Sequence, residues 1–209
     1  MRNTTPLCSA LAILLLTACH KGEDGGPGAA ITVSDYSNLE AGNSWVYEVY
    51  AVDSSGVVAA QPLREDSVFV DGDTLMNGEN WTRLRTITSL GGTSVDYLRD
   101  SVDCIVNAWE GAYFCYSLTD RIFRTEIFPG LVQNDWTAYG ATVFVTVPAG
   151  VFNARMIRSV PTSLGGPETP EYRIPRSYWK QGIGMVLRRV HYYISGSGFE
   201  YRLLRYHLV

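Results

Sequence analysis

Residues 43–52 alternate in a way that suits extended backbone and no helix. Trp45, Tyr47 and Val49 fall on one face, and Val46, Glu48 and Tyr50 on the other. Successive side chains of a strand point to opposite sides, so a period of two marks a sheet. Strand-like runs recur at 66–70, 81–88, 94–99, 121–128 and 142–147, parted by short polar or glycine-bearing breaks. Long helical periodicities are absent, and 13 tyrosines and 5 tryptophans supply residues that favour strands. This is the pattern of an antiparallel meander. Residues 34–209 are enough for one domain with a substantial core.

Two hairpins carry finer expectations. A turn at Ala149-Gly150 sets Val147 opposite Phe152, Val145 opposite Ala154 and Val143 opposite Met156, with Thr146, Asn153 and Arg155 on the other face. A one-residue slip would scatter that apolar set, so its face is firmly specified. In segment 103–115, a loop of Ala108 to Gly111 puts Asn107 opposite Ala112 and Cys104 opposite Cys115. Opposed cysteines in the closer kind of antiparallel pair are within disulfide reach. A Cys104–Cys115 bridge is therefore expected, with two reduced core cysteines as the alternative. It would be a staple rather than a redox centre, because no Cys-x-x-Cys is present.

The chain ends in two long runs, 183–194 and 199–208, joined by Ser195-Gly196-Ser197-Gly198. A turn centred between Gly196 and Ser197 gives one face with Val186, Val190, Tyr192, Phe199, Tyr201 and Leu203. The other face carries Met185, Leu187, Tyr193, Leu204 and Tyr206. Strands apolar on both faces suit a curved sheet that packs one face and lines a groove with the other. The same register opposes Arg188 to Arg205, a repulsive pair. Residues 163–175, with three prolines and a Gly-Gly pair, predict a loop across an edge or end of the sheet.

The N-terminal residues speak of location. Arg2, an apolar run from Leu7 to Leu16 and the exit Leu16-Thr17-Ala18-Cys19 have the form of a secretory signal. The run is short of the roughly 20 apolar residues a membrane-spanning helix needs. Leu16-Thr17-Ala18-Cys19 resembles a bacterial lipobox, which implies cleavage of residues 1–18 and acylation of Cys19. The alternative is an ordinary secretory signal with a cysteine there by chance. Residues 19–33, rich in glycine and charge, read as a flexible linker. His20 rather than Asp follows the cysteine, which favours the outer membrane of a diderm envelope. The formal charge of −4 comes with no basic tail or stripe, so nucleic acid is not an expected partner.

Three segments are similar to a known family: Gly42-Asn43-Ser44-Trp45-Val46-Tyr47, Val147-Pro148-Ala149-Gly150-Val151-Phe152 and Tyr178-Trp179-Lys180-Gln181-Gly182-Ile183-Gly184-Met185-Val186. Their order resembles the TapB-like family of exported bacterial proteins and lipoproteins. That family in turn resembles the LolA and LppX half-barrels, whose better-known members hold acyl chains. The resemblance implies an all-β fold: a single-domain curved antiparallel sheet, a half-barrel or open barrel of roughly ten strands. It attaches no catalytic residues.

No other motif survives inspection. His191 and His207 sit on neighbouring strands without a Cys or carboxylate at metal spacing. Ser197 lies in a Gly-Ser-Gly hairpin turn, not the strand–turn–helix of a nucleophile elbow. Asp71-Gly72-Asp73 begins like a calcium loop, but Leu75 and Met76 replace a ligand and the sharp-turn glycine, so a polar hairpin turn is expected. Trp45, Tyr47, Trp81, Trp136 and Trp179 suit either core packing or the wall of a ligand groove. The sequence thus predicts no catalytic residue, no cofactor and no metal. It predicts a non-enzymatic, lipid-anchored module that binds a lipid or other hydrophobic small molecule, or else serves as a structural or protein-interaction module of an envelope complex.

Overall fold

The computed structural model describes residues 31–165, 168–192 and 196–209. Apart from a one-turn helix α1 (Ser34–Ser37) and a 3₁₀ turn at Glu171–Arg173, the regular structure is strand. Twelve strands follow: β1 (Ser44–Val52), β2 (Arg64–Met76), β3 (Glu79–Thr88), β4 (Thr93–Ser101), β5 (Cys104–Asn107), β6 (Gly111–Cys115), β7 (Ile122–Phe128), β8 (Val132–Val147), β9 (Gly150–Ser163), β10 (Arg176–Lys180), β11 (Gly184–His191) and β12 (Gly198–His207).

All twelve belong to one antiparallel sheet, in the order β6-β5-β4-β3-β2-β1-β12-β11-β10-β9-β8-β7. Each half of the chain is a meander, and the pairing of β1 with β12 fuses the halves. The two edges, β6 and β7, adjoin in sequence, and the sheet curls until they face each other in a nearly closed barrel. Side chains bridge the seam: Arg124 of β7 donates to the Ala112 carbonyl of β6 at 3.5 Å. The strand count is twelve rather than ten. The difference includes β10, a strand of five residues squeezed between the proline-rich loop and the glycines of the next turn, too short to show its own alternation.

Two apolar clusters hold the barrel. One joins α1 to both ends of the sheet, through Val33, Tyr36, Leu98, Ile105, Phe114, Ala138, Ile157 and Trp179. The other joins Trp45, Tyr47, Val70, Val145, Val147, Ala154, Val186 and Leu203. Fully buried side chains such as Ile105, Ile157 and Leu203 each contribute about 1.5–3 kcal/mol through lost water contact. The distal half of the β8–β9 hairpin bends at a register break between Ala138 and Thr142, and the Ala149 amide reaches the Leu203 carbonyl at 2.9 Å.

Several expected registers are corrected. In the β8–β9 hairpin the turn is Pro148-Ala149, so Val145 faces Phe152 and Val143 faces Ala154. That is a shift of two, which changes partners but not faces. Proline's fixed φ suits the first central position of a tight turn, which the expected turn left outside. In β11–β12, Arg188 faces Tyr201 and Arg189 faces Glu200. Arg188 is thereby set opposite Tyr201 instead of Arg205, and its neighbour Arg189 faces the buried Glu200, which accepts from Arg189 Nε at 2.6 Å and Arg202 Nε at 2.7 Å. Asp71-Gly72-Asp73 is not a hairpin turn. It lies inside β2 at a register break, with Asp71 held by Arg85 at 2.9 and 3.0 Å, while Asn77-Gly78 make the turn.

Candidate functional site: the barrel interior

Inside the barrel lies a cavity of about 360 Å³. Its depth follows from strand order. The β1–β2 loop and the β3–β4 and β5–β6 turns stand at one end, and α1 with the β10–β11 turn at the other. At the α1 end the wall is apolar: Leu39, Trp45, Leu98, Ile105, Trp179 and Met185. The Trp45 indole N–H donates to the Ile183 carbonyl at 2.7 Å, and the Tyr47 hydroxyl to the Met185 carbonyl at 2.9 Å. With their polar atoms satisfied, both rings offer hydrocarbon to the interior. Burial also pushes the Tyr47 hydroxyl far above its ordinary pKa, so it stays neutral.

Gly182 and Gly184 shape this end. Both have positive φ, +76° and +106°, and the Gly182 amide donates to the Asp35 carbonyl of α1 at 2.6 Å. A side chain at Gly184 would be strained in that backbone region and would point at Trp45 and the Tyr36 carbonyl.

Polar side chains occupy the middle and mouth. Arg64 grips the buried Asp66 with two hydrogen bonds, 2.8 and 3.1 Å, and so neutralises it within β2. Arg188 projects from β11, and its Nη1 donates to the Tyr113 hydroxyl of edge strand β6 at 3.0 Å. Tyr113 packs edge-on against Trp179, with ring centres 5.6 Å apart. Tyr201 lies opposite Arg188 on β12, and burial raises its pKa. Exposed Ser94, Asp96 and Glu110 mark the mouth. The Asn107 carboxamide fixes the turn there by accepting the Trp109 and Glu110 amides at 2.8 and 3.2 Å.

The sequence-derived sites separate clearly. Cys104 and Cys115 face each other and form a disulfide. The expected loop is one residue too long, since Asn107 pairs with Gly111, and a register break between Ile105 and Val106 restores the cysteine pairing. Of the five aromatics, Trp45, Tyr47 and Trp179 line the cavity. Trp81 and Trp136 instead receive the guanidinium groups of Arg99 and Arg124. His191 stands opposite Gly198 and His207 opposite Ser44, so they are not partners. Cys19 and its lipobox lie outside the described residues. Tyr201 lies on a face expected to pack or to line a groove, and Arg188 had a different expected partner, whereas sequence reasoning passed over Arg64, Asp66 and Tyr113. The available signal was Arg64-x-Asp66 in phase with Val68 and Val70, a charged pair on an otherwise apolar face.

Fold and cavity together define a class: a single-sheet antiparallel β-barrel whose interior is apolar at one end and polar at the other. Among the described residues no group of three or more His, Cys, Asp or Glu side chains is placed to hold a metal ion. Among solved structures the chain is similar to a protein described as exported, with a YmcC-like fold, from Bacteroides fragilis. The match has 11% identity and TM-score 0.46, covering 82% of this chain and 98% of the other. It is also similar to a protein described as a lipoprotein from Parabacteroides distasonis, at 11% identity and TM-score 0.40, covering 83% and 98%. No known family and no curated protein matches the sequence. The TapB-like resemblance therefore rests on its three segments alone.

Proposed function

We propose that this protein is a non-enzymatic, lipid-anchored module of a bacterial envelope that holds a small hydrophobic molecule inside its barrel. The carrying observation is the internal cavity, walled at one end by Trp45, Leu98, Ile105, Trp179 and Met185. A folded protein normally fills such space with its own side chains, whereas ligand sites are concave, mostly apolar and about 300–1,000 Å³. The Leu16-Thr17-Ala18-Cys19 resemblance supports an acyl anchor at Cys19, with the outer membrane as its seat.

Two measurements test this reading. The full chain, purified from the membranes of an exporting host, is extracted with organic solvent and the released molecules are identified by mass spectrometry. A stoichiometric apolar or amphipathic compound supports the binding module; repeated recovery of an empty protein that takes up no added lipid counts against it. Labelling with a radioactive fatty acid, compared between the wild type and Cys19→Ala, tests the anchor.

A second reading, as a protein-interaction module, has one favouring observation. Phe144 and Val151, 81% and 64% exposed, stand on the outward face of the β8–β9 hairpin. Crosslinking in intact envelopes from a residue next to Phe144 tests it, and failure to capture any protein counts against it.

A further inference from the structure

Arg188 is the unusual member of the cavity wall. A guanidinium carries five N–H donors and stays charged at any relevant pH. Arg188 is half-buried, and withdrawing a guanidinium from water without a carboxylate is costly unless something meets the charge. The other cavity arginine, Arg64, is answered by Asp66 in a two-pronged ion pair. Arg188 has no carboxylate within ion-pair distance among the described residues; its partner is the Tyr113 hydroxyl. Its neighbours Tyr113 and Tyr201 offer hydroxyls rather than carboxylates, and the acidic groups that act on it, Glu110 and Asp96, sit exposed at the mouth. Arg188 lines the cavity together with Tyr113 and Tyr201.

The apolar end lies beyond this charge. Trp45, Trp179 and Met185 belong to strands β1, β10 and β11, toward α1. Trp179 packs directly against Tyr113, the residue that Arg188 grips. A positive charge without an ion-pair partner among the described residues therefore stands between a polar mouth and a hydrocarbon floor.

We propose that the ligand is a carboxylate-headed, monoanionic amphiphile. Its carboxylate pairs with Arg188 and takes hydrogen bonds from the Tyr113 and Tyr201 hydroxyls, and its hydrocarbon tail lies against Trp45, Trp179 and Met185. The paired Arg64–Asp66 leaves one net cation for the head, and Asp96 and Glu110 at the mouth oppose a doubly charged one. This assignment rests on the reading of the cavity as a ligand site and names its chemical class.

The test uses tryptophan fluorescence of the full chain in detergent, with ω-bromoundecanoic acid and ω-bromoundecanol as probes. Bromine quenches on contact, and the bromine end reaches Trp45 and Trp179 only when the tail is seated. A charge-assisted hydrogen bond contributes about 1.5–3 kcal/mol, so the acid should bind about tenfold or more tightly than the alcohol. Arg188→Met should abolish that preference while still binding the alcohol, and Arg188→Lys should keep part of it. Undecyl phosphate should compete less well than undecanoate at a pH where it is doubly charged. Equal binding of acid and alcohol by the wild type overturns the anchor but leaves the hydrophobic cavity standing. Quenching by neither probe overturns both. The wild-type comparison decides even if Arg188→Met does not fold.

Discussion

Arg188 and Tyr113 lie 75 positions apart in the chain and are joined by a single 3.0 Å hydrogen bond across the barrel interior. β11 is a central strand, whereas β6 is an edge strand, so this bond ties the curl of the sheet at its open margin. Removing the hydroxyl leaves the guanidinium with the cavity for company. Tyr113→Phe is expected to cost about 1.5–3 kcal/mol, as for other bonds to charged groups, and to be read as a lower midpoint in urea. A midpoint equal to wild type would mean that the bond does not hold the seam.

The disulfide acts at the same margin. Cys104 and Cys115 join β5 to β6, and Phe114 beside them is fully buried against Tyr36 and Trp179. A cross-link closing a loop this short stabilises chiefly by restricting the unfolded chain, by about 2–3 kcal/mol. Reduction, or the double substitution Cys104→Ser with Cys115→Ser, should lower the thermal midpoint by several degrees. No change on reduction would sink this expectation.

Much of the fold was legible because alternation survives ignorance of register. The apolar faces of the β8–β9 hairpin depend only on a period of two. What failed was what turns and bulges decide. Pro148 moved one hairpin by two residues, and a break near Ile105 compensated for a loop read one residue too long. The cavity was less accessible still. Its charged residues come from strands whose order round the sheet depends on β1 meeting β12, a pairing between the two ends of the domain. Alternation sets Arg188 on the face of Val186, Val190 and Tyr201, but a register that opposed it to Arg205 concealed its place beside Tyr201, and its contact with Tyr113 depends on the curl of the sheet.

At the mouth end, the β1–β2 loop and the segment before β10 lean on each other. Gly56 has φ +84°, and a Cβ there would come within 2.7–2.9 Å of the Tyr172 side chain. Nearby, Arg173 donates to the Ser54 carbonyl at 2.9 Å. Gly56→Ala must strain its own backbone, by about 1–2 kcal/mol, and displace the Tyr172 ring. The expected result is faster tryptic cleavage after Arg173 with a modest loss of barrel stability. Unchanged cleavage would show that the ring moves aside without freeing the segment.

His191 gives the domain a pH dependence. It is buried, and among the described residues only the Gly196 backbone comes near enough to favour its charged form. Burial comes first among the causes that lower its pKa, followed by the positive charge of Arg189, with Arg173 and Arg176 adding to it. The space around it is tight, since a Cβ on facing Gly198 would lie 3.0 Å from His191 Nδ1. Folding therefore favours the neutral ring. Between the lowered folded pKa and the unfolded value of about 6.5, the unfolded chain binds more protons, so stability there rises with pH. The contribution is complete above about pH 6.5 and is lost progressively as the pH falls below it. Unfolding midpoints measured from neutral to mildly acidic pH should fall on acidification, and the fall should be shallower in His191→Gln. That comparison isolates the histidine from the carboxylates, because Glu200 and its arginines are present in both proteins. An equal slope in the two would mean that protonation of His191 costs nothing in the folded state.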